Sequence, residues 1–135
     1  MTHWSDAYVG RRYVPMIFDC GELVRVVQRE VFGREVAVPS ERWYAEASVR
    51  RRLLAMSEQI DACKGALAEE IAEPEEGCGV LLRSRAKLSH IGIWCRIGSE
   101  AWVMHGDERA EQVVRTRARE LSARHFHIAG CYRWT

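Results

Sequence analysis

A chain of 135 residues has the size of one domain. Its 20 Lys and Arg against 19 Asp and Glu leave a formal charge of +1, with 47% hydrophobic and 29% charged residues. That excludes a disordered composition and argues against the basic excess of a dedicated nucleic-acid binder. No apolar run reaches the roughly 18 residues of a membrane span. The start, Met1-Thr2-His3-Trp4-Ser5-Asp6, has neither the basic head nor the apolar stretch of a secretory signal. The expectation is one domain over 1–135, made in the cytoplasm without a signal peptide and with no membrane span.

In chain order, Tyr8 to Pro15 reads as an irregular lead-in. Apolar residues Cys20, Leu23, Val24, Val27 and Val31 then recur with helical spacing. Asp19 stands at the N-cap position, Glu22 three residues on as in a capping box, and Gly33 as a stop, so a helix is predicted over about 20–32. A second helix is predicted from Ser40 or Ala45 to Cys63, with Val49, Leu53, Met56, Ile60 and Cys63 on one side. The Glu-rich stretch Glu69–Gly79, with Pro74, Gly77 and Gly79, reads as a loop dividing a helical half from a strand-rich half. Strands are predicted at Val80–Leu82, Ser89–Ile97, Glu100–His105, Gln112–Arg117 and Arg124–Trp134. Helices first and strands after, without βαβ alternation, predict an α+β fold with an antiparallel sheet.

The segment Ser89–His105 allows a register to be derived. Gly98-Ser99 fits a two-residue hairpin loop with Gly at the first central position of a type II′ turn. Gly92 then faces His105, Ile93 faces Met104 and Cys95 faces Trp102. Ile91, Ile93, Cys95, Trp102 and Met104 share one face, and His90, Gly92, Trp94, Val103 and His105 the other. His90 and His105 are diagonal neighbours, with the bare Gly92 between them.

The five cysteines are Cys20, Cys63, Cys78, Cys95 and Cys131. An odd count with no Cys-x-x-Cys pair argues against a disulfide framework and a zinc site of the usual spacing. A thiol becomes a nucleophile by losing its proton, which a helix N-terminus favours. Cys20, just after the Asp19 cap, is the cysteine so placed. His90 and His105 supply a base and a group to orient it. If their face packs over the start of the Cys20 helix, a Cys-His-His triad results. The backbone N–H groups about Cys20, between Asp19 and Gly21, then lie where an oxyanion would form.

Three segments, Tyr8–Val24 (YVGRRYVPMIFDCGELV), Ser89–Trp94 (SHIGIW) and Trp102–Gly106 (WVMHG), resemble the NlpC family of papain-like cell-wall cysteine peptidases, particularly its phage tail and prophage members. Asp19-Cys20 matches the family's nucleophile motif, His90-Ile91-Gly92-Ile93 its base strand, and His105-Gly106 its third polar residue. Tyr13 matches the Gly-x-x-Tyr residue that can line the oxyanion hole. Gly130-Cys131-Tyr132-Arg133 is similar to the closing strand. Gly77-Cys78 departs from the family's usual Gly-Asp. The resemblance implies a papain-like fold, N-terminal helices packed on an antiparallel β-sheet, that hydrolyses an amide in peptidoglycan stem peptides, typically between D-glutamate and diaminopimelate. It implies no cofactor and no metal. Phage tail proteins are the implied partners, with action at the cell wall from a virion. Two other readings stay open: a tail-assembly or interaction module without turnover, and an acyltransferase or other amidase on the same triad.

Other residues carry plainer readings. His125 and His127 share a strand face, but two ligands without a nearby carboxylate read as structural or solvated histidines. Cys78 reads as an incidental thiol exposed in its Gly-rich loop. Arg50-Arg51-Arg52 and Arg115, Arg117 and Arg119 read as solvated faces. Trp43-Tyr44 reads as packing rather than as a sugar-stacking platform.

Overall fold

The computed structural model describes residues 2–14, 18–36, 38, 58, 68–84, 89–107 and 109–134. The helical stripe forms α1, Cys20–Phe32. Asp19 Oδ1 accepts the Glu22 amide at 3.0 Å, satisfying one of the donors a helix start leaves open. At the other end Gly33 takes φ +66°, a left-handed cap that costs glycine little. Leu23, Val24 and Val27 are wholly buried on the stripe.

Six strands follow: β1 (Ala68–Ile71), β2 (Gly79–Ser84), β3 (Ser89–Ile97), β4 (Glu100–Asp107), β5 (Gln112–Arg117) and β6 (Phe126–Trp134). They form one sheet in the order β1-β6-β2-β3-β4-β5, and every neighbouring pair is antiparallel. The last strand thus inserts between the first two, with a register shift at Leu81/Leu82. Gly98 has φ +62° while Ser99 does not take positive φ, as a type II′ turn requires. The register that turn implies is the observed one: Ile93 opposite Met104 and Cys95 opposite Trp102.

Alternation along the strands divides the apolar residues between two faces. One carries Leu81, Ile91, Ile93, Cys95 and Met104 and packs against Leu23, Val24 and Val27 of α1. The other carries Val80, Leu82, Trp94 and Val103 with Cys78, Cys131 and Leu121, closed at its margin by Phe126 and Ala118. Leu121 comes from the segment after β5, where 3₁₀ turns run over Ala118–Glu120 and Ser122–Arg124. Each apolar face therefore has its own cover, and both are removed from water.

This corrects the expected papain-like α+β fold with N-terminal helices packed on a sheet. The described residues are predominantly one six-stranded antiparallel sheet, with α1 as their one α-helix. The reason lies partly in the Glu-rich stretch. Its start is not loop but edge strand β1, because Glu69 stands directly across from Arg133 of β6 and Ala68 from the buried Trp134. Glu69 and Glu75 both pair with that guanidinium, Glu75 at 2.7 Å. The helix predicted from Ser40 or Ala45 to Cys63, with Arg50-Arg51-Arg52 and Trp43-Tyr44, lies outside the described residues apart from residue 58. No described helix is long and apolar enough to cross a membrane.

The lead-in is ordered against the sheet. Gly10 and Tyr13 donate to the carbonyls of Val113 and Glu111 at 2.9 Å, and Val113 donates to Arg11 at 2.8 Å. Residues 10–13 thereby occupy hydrogen-bonding groups along the β5 edge and bring Tyr13 beside the start of α1.

Candidate active site

His90 lies on β3 directly across from Leu82, and His105 lies on β4 across from Val114. Leu82 and Val103 mark their face as the one carrying Trp94 and Phe126. The two imidazoles meet there, His90 Nε2 to His105 Nδ1 at 3.3 Å, with their rings at 86°. Gly92 makes the meeting possible. A Cβ there would stand 2.7 Å from Val103 Cγ1 and 3.4 Å from His105 Cβ, so a side chain would displace both.

Phe126, opening β6, stacks on His90 at 5.9 Å between centroids and meets the His105 ring at 5.5 Å and 73°. The second nitrogen of His105, Nε2, lies 3.4 Å from Thr116 Oγ1. His105 is 1% exposed and Thr116 5%, whereas His90 is only partly buried and forms the outer end of the chain.

Burial sets the protonation of the pair. It lowers the His90 pKa to about 4, against the pull of the Asp107 and Asp19 carboxylates and the Gly106 backbone, which favour the charged ring. His105 falls to about 3, through burial first and the neighbouring His90 second. Both rings are therefore neutral near pH 7, each with one donor and one acceptor nitrogen.

Cys20 begins α1 next to its buried cap Asp19 and is itself 4% exposed. Gly106 connects this helix start to the histidines. A Cβ on Gly106 would stand 2.9 Å from Tyr13 Cδ2 and 3.6 Å from the Cys20 amide nitrogen, while its backbone is a hydrogen-bonding neighbour of both imidazoles. The structure thus groups Tyr13, Asp19, Cys20 and Gly21 on one side of Gly106, and His90 and His105 on the other.

One condition of the sequence reading takes a different form. The imidazole face was expected to pack over the start of the Cys20 helix, but the stripe of α1 packs on the opposite face, against Ile91, Ile93 and Met104. The helix approaches the imidazoles at its first turn, where Asp19 is close enough to bias the charge of His90.

The other thiols divide plainly. Cys78 is buried rather than exposed, because it leads into β2 and packs under Trp94, whose amide donates to the Cys78 carbonyl at 3.0 Å. Contact with the Cys131 thiol, and then burial, push its pKa upward. Cys95 is pushed to about 12 by burial. Neither has the character of a reactive thiolate. Cys63 lies outside the described residues.

His125 and His127 are exposed, and among the described residues no three His, Cys, Asp or Glu side chains are grouped so as to hold a metal ion. Arg115 and Arg117 are not simply solvated. Arg115 bonds Ser5 Oγ at 2.8 Å and pairs with Asp6, and Arg117 lies 4.7 Å over the Trp102 ring.

Sequence reasoning missed Thr116, Phe126 and Asp107. Thr116 shares a face with His105 only once β5 is registered on β4, with Thr116 opposite Val103. Phe126 comes from a strand whose neighbours could not be inferred. Asp107 carried a local signal, since its Oδ1 accepts the Arg109 and Ala110 amides at 2.9 and 3.2 Å, an Asx-type turn.

No protein-family model matches the chain, and no curated protein matches it.

Proposed function

We propose that this protein is a cysteine hydrolase of amide bonds. The supporting observation is the His90 to His105 contact at 3.3 Å, one residue from the glycine that lies against the amide opening α1. In this reading His90 Nδ1, the nitrogen turned away from His105, takes the Cys20 thiol proton. The thiolate attacks the amide carbonyl, and the oxyanion is met by backbone N–H groups at the helix start, with Tyr13 beside them. His90 then gives its proton to the leaving amine, and water releases the acyl group from Cys20. His105 orients His90 throughout.

The proposed substrate is a peptidoglycan stem peptide, cut between D-glutamate and diaminopimelate, by a protein carried with a phage tail. This substrate rests on the likeness of Asp19-Cys20, His90–Ile93 and His105-Gly106 to the cell-wall peptidase motifs.

One observation favours a second reading, a binding module without turnover: the stripe of α1 and the histidines occupy opposite faces of the sheet. Incubation with purified diaminopimelate-type sacculi, followed by mass spectrometry of the products, separates the two. The hydrolase releases cleaved stem peptides and Cys20→Ala releases none. Equal release by Cys20→Ala, or none by either form, removes the hydrolase reading.

A further inference from the structure

Resting on that hydrolase reading, we infer that Thr116 is a positioning residue, holding His105 in the tautomer that carries its proton on Nε2. The inference comes from following the protons along three buried groups. A neutral imidazole has one N–H and one lone pair in its ring plane. For His90 to take the thiol proton on Nδ1, its own proton must sit on Nε2. That nitrogen faces His105 Nδ1 at 3.3 Å, which must then be an acceptor. The His105 proton is accordingly on Nε2, where Thr116 Oγ1 accepts it at 3.4 Å.

The opposite proton order forms the same contacts. Thr116 would donate to His105 Nε2, His105 Nδ1–H to His90 Nε2, and His90 would carry its proton on Nδ1. Such a His90 cannot receive a proton from Cys20 at that nitrogen. The hydroxyl at 116 stands at the closed end of the chain, 5% exposed, and its role as acceptor selects the productive order. When the thiol proton reaches Nδ1, the His90 cation keeps its Nε2–H toward His105 and its charge faces Asp107 and Asp19. No proton need leave Thr116 at any step. Phe126, against both rings, limits their rotation and leaves the order to the hydrogen bonds.

The test reads the tautomer directly. In ¹⁵N-labelled protein at neutral pH, two-bond ¹H–¹⁵N correlation distinguishes protonated from bare ring nitrogens. His105 is expected to show a protonated Nε2 in the wild type. Thr116→Val, similar in shape but without the hydroxyl, is expected to shift His105 toward Nδ1–H, and Thr116→Ser to restore Nε2–H. Alkylation of Cys20 by iodoacetamide at the same pH is expected to slow by about tenfold in Thr116→Val and recover in Thr116→Ser, the lower end of what losing an imidazole's outer partner costs at metal sites. A wild-type His105 protonated on Nδ1 overturns the inference even if Thr116→Val does not fold. So does an unchanged tautomer in a folded Thr116→Val. If the tautomers respond as expected while no form hydrolyses stem peptides, the hydrolase reading fails and the Thr116 assignment stands.

Discussion

Asp19 serves two ends at once. Its side chain caps α1 through the Glu22 amide, and its charge helps offset the burial that depresses the His90 pKa. Substitution can separate the two. Asp19→Ala is expected to cost about 1 kcal/mol of stability through the lost cap, read from the urea midpoint. Asp19→Asn keeps a capping oxygen and removes the charge, so stability should stay closer to wild type while the His90 titration, followed by NMR, moves to lower pH. An unmoved His90 titration would show that the carboxylate does not act on the ring. The cap, the cysteine and both histidines were legible from the sequence because each depends on local signals: a capping residue, a helical stripe, a hairpin of known turn. Thr116 and Phe126 were not. Their contacts with the imidazoles depend on strand neighbours brought together by closure of the sheet, and a single sequence carries no local trace of that pairing.

Between elements, Gly106 is where α1, the Tyr13 segment and β4 come together, and it tolerates no side chain without movement. A methyl group at this position would press on the Tyr13 ring at 2.9 Å but make only ordinary contact with the Cys20 amide at 3.6 Å. Gly106→Ala is therefore expected to destabilise by about 1–3 kcal/mol, and most of that penalty should vanish in a Tyr13→Ala background. A thermal-unfolding double-mutant cycle measures the coupling; additive effects would mean that the methyl group is accommodated elsewhere. The same scale explains what could be read of the fold. The β3–β4 hairpin was derivable because its partners adjoin in sequence across Gly98-Ser99. Strand β1 was read as loop because Glu69, Glu70 and Glu73 resemble a solvated turn, and the residue that makes Glu69 a good strand position, Arg133, lies at the far end of the chain. Insertion of β6 between β1 and β2 was hidden for the same reason.

Over the whole molecule, the sheet is a partition with an apolar core under α1 on one side and a buried, uncharged histidine pair on the other. That arrangement makes folding sensitive to acid in a definite window. In the unfolded chain both imidazoles titrate near the ordinary 6.5, whereas burial lowers them to about 4 and about 3 in the folded protein. Between pH 6.5 and 4 the unfolded state binds protons that the folded state refuses, so stability must fall as the pH drops, by up to about 1.4 kcal/mol per pH unit for each imidazole. Two exposed carboxylates act in the same direction at lower pH. Asp6 is lowered by the His3 amide and Arg115, and Glu75 by Arg133, so their contributions fade only below the ordinary carboxylate range. The histidine contribution is thus isolated between about pH 6.5 and 5. Urea midpoints measured across that interval should decline steadily with acid, and the decline should flatten in the double variant His90→Gln with His105→Gln, whatever its absolute stability. A wild-type midpoint that stays constant from pH 7 to 5 would mean that the imidazoles gain protons in the folded state at their ordinary pH. The site would then be open to water and charged, with no neutral base waiting beside Cys20.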